Sequence, residues 1–115
     1  MLNTNVKEIK SPAEFEEYIN SNEPLVICAG RLGPMCIPVY IAMEQMEKEE
    51  QFKDVKLMTV DFDTASAIAI RKNEKCRNFM GLPFTAYYKN GKMVHATSSI
   101  QSRMQLEKNI EEQLL

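Results

Sequence analysis

The chain has 115 residues, of which 44% are hydrophobic and 26% charged, and its formal net charge is -2. That hydrophobic content excludes a disordered tail. It fits one globular domain over residues 1–115, since domains commonly run to about 100–150 residues. No basic excess or patch marks a nucleic-acid or anionic-membrane partner, so neither is expected. The longest apolar run, Leu25–Ala29, is too short to span a bilayer. The opening MLNTNVKEIK is polar and lacks the apolar stretch of a signal peptide, which points to a cytoplasmic protein.

In chain order, Val6–Ile9 is a weak strand signal. Residues 11–20 read as a helix, with Ser11 as N-cap, Pro12 in the first turn and Glu14 closing a capping box. Leu25–Ala29 is continuously apolar, as suits a parallel strand covered on both faces. Gly30–Gly33 reads as a loop. Pro34 can begin a second helix with Tyr40, Met43 and Met46 facing the core, and Pro38 would bend that helix if it already runs there. Val55–Phe62 is rich in strand formers. Asp63 or Thr64 can cap a third helix reaching to about Phe79. Phe84–Lys89 and Met93–Thr97 are strands joined by Asn90-Gly91, a strong hairpin signal. Ser102 with Gln105 forms a second capping box, and Leu106, Ile110 and Leu114 follow at helical spacing. The order β-α-β-α-β-α-β-β-α predicts an α/β fold. Its first strands should be parallel and its hairpin should form an antiparallel edge.

The three cysteines, Cys28, Cys36 and Cys76, are an odd set with no C-x-x-C spacing. They are not the framework of a small disulfide-rich domain. The single histidine, His95, is distant in sequence, so no zinc motif assembles locally, and it reads as a surface or edge residue. No Gly-rich phosphate loop, G-x-S-x-G or H-E-x-x-H occurs, and no cofactor is expected. Asp61 and Asp63 follow a strand and read as helix-capping groups.

This order, with G-x-P before a hairpin strand, resembles thioredoxin over nearly the whole chain. LVICAGRLGPMC is similar to the family's strand and active-site loop, which normally ends W-C-G-P-C. KLMTVDFD is similar to its central strand, and GLPFTAYYKNGKMV to its cis-proline loop and final hairpin. An insertion of several residues falls between Asp63 and Phe79. The resemblance implies the thioredoxin fold, a mixed sheet with helices on both faces.

The same resemblance places Leu32 at the nucleophilic cysteine and Met35 at the resolving cysteine. In the family the first thiolate sits at a helix N-terminus, which lowers its pKa, and the second resolves the mixed disulfide. Leucine has no nucleophile, and a thioether forms no reversible disulfide. Val26 and Leu57 stand where thioredoxins commonly place a buried Asp facing a Lys, a pair that moves protons at the resolving thiol. Together these four positions imply a degenerate dithiol site. Arg31 and Leu32 should form the loop tip, and Leu32, Met35 and Met80 a small apolar patch. Pro83 is implied to be cis, and Leu82 to offer its backbone to an extended peptide.

The resulting expectation is a peptide or protein partner bound through Arg31, Leu32, Gly33, Pro34, Met35, Leu82 and Pro83. The alternative is a single-thiol oxidoreductase or redox sensor, in which Cys36 near the helix N-terminus forms a mixed disulfide with its partner, alone or helped by a second cysteine. Against that, Cys36 can also pack inward as a small hydrophobe above Tyr40 and Met43. Cys28 and Cys76 read as core thiols, and a Cys28–Cys36 disulfide depends on a separation that sequence does not supply.

Overall fold

A computed structural model describes Leu2 and residues 4–115; Met1 and Asn3 lie outside the described residues. Five strands, β1 (Lys7–Ile9), β2 (Leu25–Gly30), β3 (Lys56–Asp61), β4 (Phe84–Lys89) and β5 (Lys92–Ser98), form one sheet in the order β1-β3-β2-β4-β5. β3 runs parallel to β1 and β2, while β4 is antiparallel to both β2 and β5. Among the described residues no helix is long and apolar enough to cross a membrane.

β2 is buried along its whole length, which is why its sequence is apolar without alternation. Val26 and Cys28 face one layer with Val39, Tyr40, Met43 and Met46 of helix α2 (Ile37–Met46) and Leu106 and Ile110 of α4 (Arg103–Gln113). Ile27 and Ala29 face the other layer with Phe15 of α1 (Pro12–Asn20) and Ile70 of α3 (Ile68–Arg71). The sheet is therefore covered on both sides.

Local signals explain the element ends. Ser102 accepts from the Gln105 amide while the Gln105 side chain accepts from the Ser102 amide, a complete capping box. At α1 only half of the expected box forms. Ser11 accepts from the Glu14 amide, but the Glu14 carboxylate turns to the Lys10 amide at 2.7 Å. The nearby Lys7 ammonium, 3.1 Å from the same carboxylate, favours that turn. The hairpin residues Asn90 and Gly91 have φ of 54° and 81°, the left-handed pair that a two-residue turn requires.

Two helices differ from expectation. The second begins at Ile37, not Pro34, because residues 34–36 form a turn in which Cys36 and Ile37 both donate to the Gly33 carbonyl. Pro38 consequently lies within the first turn, where its missing N–H costs no helical bond, and it does not interrupt the helix. The third helix does not run to Phe79. It breaks into a 3-10 turn at Ala65–Ala67, the four-residue α3, and a second 3-10 turn at Glu74–Cys76. The Asn73 side chain accepts from the Lys75 amide and starts a separate turn, a local bond that competes with helix continuation.

The α4 cap gives a direct check. Ser102→Ala should lower the unfolding free energy by about 1 kcal/mol, read from urea denaturation with an unchanged m-value.

Candidate functional site: the loop between β2 and α2

Gly30 ends β2 at a point where the second helix presses on the strand. A Cβ placed on Gly30 would lie 2.5 Å from the Tyr40 hydroxyl and 2.9 Å from Cys36 Sγ. Only glycine admits that approach. The same two side chains hold the next residue. The Arg31 amide donates to Cys36 Sγ at 3.4 Å, and the Tyr40 hydroxyl donates to the Arg31 carbonyl at 3.1 Å.

The Arg31 side chain is held as well. Its Nε and Nη2 each donate to the Asp63 carboxylate at 2.7 Å, and its guanidinium lies 5.3 Å from the centroid of the Phe62 ring. Arg31, expected at the loop tip with Leu32, is exposed but anchored. Asp63 caps no helix; its role is to accept this fork. Hydrogen bonding from Arg31 holds the Asp63 carboxyl below the usual carboxylate range. Asp61 also departs from the capping expectation, since its carboxylate accepts from the Asp63 amide inside the turn.

Beyond this anchor the chain turns outward. Leu32 is 62% exposed and Met35 45%, with Pro34 exposed between them and Gly33 half-buried. Cys36 turns inward and is only 2% exposed, packed with Tyr40, Met43 and Cys28. The inward reading of Cys36 is therefore the one observed. Cys28 is fully buried, and burial pushes its thiol well above the ordinary range. Cys76 is buried with Phe84 in the opposite layer, and burial raises its thiol too. All three cysteines are free. Tyr40 is raised by burial first and by Cys28 and Cys36 second, so it stays a protonated donor at neutral pH.

The second part of the site lies across the sheet. Phe84 pairs with Ala29, which places the preceding Leu82 and Pro83 level with Gly30 and Arg31. The Leu82–Pro83 bond is cis. The Gly81 carbonyl is taken by the Ser99 amide at 2.9 Å. Among the described residues, neither the amide nor the carbonyl of Leu82 enters a hydrogen bond. Its side chain packs against both core layers. Met80, two residues earlier, is 96% exposed. Val26 and Leu57 are direct neighbours across β2 and β3, and both are buried. His95, half-exposed on the edge strand, lies against the Tyr87 ring with centroids 5.4 Å apart and a tilt of 46°.

Sequence reasoning brought the seven expected residues to one end of the sheet, but it missed Gly30, Tyr40, Phe62 and Asp63 as their support. Two results are expected. Gly30→Ala should cost about 1–3 kcal/mol through overpacking, with part of the loss recovered in Gly30→Ala/Tyr40→Phe; denaturant unfolding of the four chains gives the cycle. For Asp63, a carboxyl lowered on folding contributes stability above its unfolded pKa and loses it as pH falls through the folded value. Arg31→Gln should move the Asp63 titration midpoint, followed by carboxyl NMR, up toward the ordinary value of about 4.

No protein-family model and no curated protein sequence matches the chain. Solved structures do. A thioredoxin from Plasmodium falciparum is 26% identical, with 93% of this chain and 98% of that one covered at a TM-score of 0.74. Mitochondrial thioredoxin 3 from Saccharomyces cerevisiae, in its oxidized form, is 22% identical, with 93% and 94% covered at 0.73. The thioredoxin of Malassezia sympodialis is 19% identical, with 94% and 92% covered at 0.76. The sheet order, the helices on both faces and this near-complete coverage agree: the chain has the thioredoxin fold.

Proposed function

We propose that this chain is a thioredoxin-like binding protein without dithiol exchange. It holds an extended peptide or a protein segment between the Leu32–Met35 loop and the Leu82–Pro83 loop. One observation carries the reading. The two loop positions flanking Gly33-Pro34 are the exposed apolar residues Leu32 and Met35, while the adjacent thiol of Cys36 is turned into the core. A surface-active dithiol has been exchanged for a surface-active apolar pair. Strand addition at Leu82 needs only backbone groups, and those of Leu82 are unpaired among the described residues.

The buried pair supports the same reading. An Asp at position 26 facing a Lys at position 57 would need desolvation to be offset by good geometry. Val26 against Leu57 carries no such cost and offers no proton path.

The second reading, a single-thiol redox centre, draws on the place of Cys36 at the N-terminus of α2, where its sulfur accepts the Arg31 amide. It requires that sulfur to leave the contacts that bury it.

The test has two arms. In the folded protein all three thiols should resist alkylation near neutral pH, and a disulfide-reduction assay should show no turnover above the reductant alone. Rapid alkylation abolished by Cys36→Ser would instead support the redox centre. In the second arm, Leu32→Glu should reduce capture of displayed random decapeptides at least about tenfold with its unfolding midpoint unchanged, because a charge would have to be buried against an apolar contact. Undiminished capture would overturn the binding reading.

A further inference from the structure

Residues 71–77 form a local island of positive charge in a chain of net charge -2. They hold Arg71, Lys72, Lys75 and Arg77 against the single carboxylate of Glu74. Lys72, Lys75 and Arg77 are all exposed, and none of them enters an ion pair among the described residues. Four exposed cations elsewhere are matched, Lys7 with Glu14, Arg31 with Asp63, Lys53 with Glu50 and Lys56 with Glu23. Among the described residues, the other exposed lysines outside an ion pair, Lys10, Lys48, Lys92 and Lys108, are scattered along the chain, whereas Lys72, Lys75 and Arg77 fall within six residues.

The island adjoins the candidate site through a shared ring at one end and through a short stretch of chain at the other. At its start, the Arg71 guanidinium lies 5.3 Å from the centroid of the Phe62 ring, the same ring that carries Arg31 of the site loop at 5.3 Å. At its end, Arg77 stands three residues before Met80 and five before Leu82. Between them Cys76 is buried, and its charged neighbours Lys75 and Arg77 are exposed. The three cations outside ion pairs thus lie on the short segment that joins the Phe62 ring under the first loop to the Leu82 loop.

We infer that the partner segment is acidic: an extended peptide whose apolar residue sits on Leu32, Met35 and Met80 and whose Asp or Glu side chains meet Lys72, Lys75 and Arg77. This rests on the binding function proposed above and adds its specificity. Apolar contact and backbone pairing would supply sequence-tolerant affinity, and the cations would select among peptides and speed their encounter.

The experiment displays random decapeptides to the whole chain and to Lys72→Glu/Lys75→Glu/Arg77→Glu. The wild type should enrich peptides with Asp or Glu flanking an apolar residue, and the reversed variant should favour Lys or Arg. A synthetic acidic decapeptide from the pool should bind the wild type about tenfold more tightly than its Asn/Gln counterpart, the size expected of several exposed ion pairs acting together. Lys72→Gln/Lys75→Gln/Arg77→Gln, milder in charge, should erase that ratio. Added salt should shrink it, since these groups are exposed.

Enrichment without charge preference, or a preference that survives reversal, overturns the acidic-partner inference and leaves peptide binding standing. No enrichment at all overturns both. Binding of a ten-nucleotide single-stranded RNA that is lost on reversal but kept in Leu32→Glu, without a charge preference among peptides, assigns the island to nucleic acid and likewise overturns the inference.

Discussion

The contact on which the site depends is the approach of Tyr40 and Cys36 to Gly30. The helix comes so close to the strand that a methyl group on Gly30 would overlap both side chains. That closeness puts the Cys36 sulfur and the Tyr40 hydroxyl within reach of the next peptide unit, where they take the Arg31 amide and carbonyl. With Asp63 holding the guanidinium, the first loop residue has lost its freedom on every side. The residues after it start from a fixed point, so Leu32 and Met35 are displayed from a pre-ordered turn. A preformed surface gives up less conformational entropy when a partner arrives.

The same contact decides the fate of the thiols. A sulfur wedged between a strand end and a tyrosine is useful as a packing atom and as a weak acceptor. At 2% exposure that sulfur is closed to an attacking partner, whatever its place at the helix N-terminus. Here the helix begins at Ile37, one residue after Cys36, and the turn before it points Pro34 and Met35 outward and Cys36 inward. A one-residue offset therefore separates a displayed thiol from a buried one. The neutral Val26–Leu57 neighbours agree with that arrangement, since a buried charge pair without a proton to move would add desolvation and little else.

Much of the fold was legible because its signals are local or periodic. The α4 cap and its buried Leu106 and Ile110, the Asn90-Gly91 turn and the fully apolar β2 follow from rules that act within a few residues. The third helix was not legible in the same way. A capping residue at Asp63 or Thr64 suggested one helix to about Phe79, but the bond from the Asn73 side chain to the Lys75 amide is a competing local structure inside that stretch. The support of the site was hidden for a different reason. Arg31 and Asp63 are 32 residues apart and Gly30 and Tyr40 ten, and such pairs become neighbours only when the sheet order is known. The basic island was missed because net charge averages over the chain, whereas a partner meets only the local surface.

Two kinds of exposed group then remain at this end of the molecule, and they answer different physical demands. The apolar side chains of Leu32, Met35 and Met80 gain by losing water, with little dependence on direction or salt. The cations of the 71–77 segment act at longer range and weaken as salt is added. An apolar patch alone would accept any hydrophobic segment, including unfolded chains. A basic island alone would accept any polyanion. Linked by the shared Phe62 ring and the short chain from Arg77 to Leu82, they would together select a ligand that carries both features, as the acidic-peptide proposal requires. Specificity of this kind is a difference in affinity between partners, and it can be built on a scaffold whose thiols have withdrawn into the core.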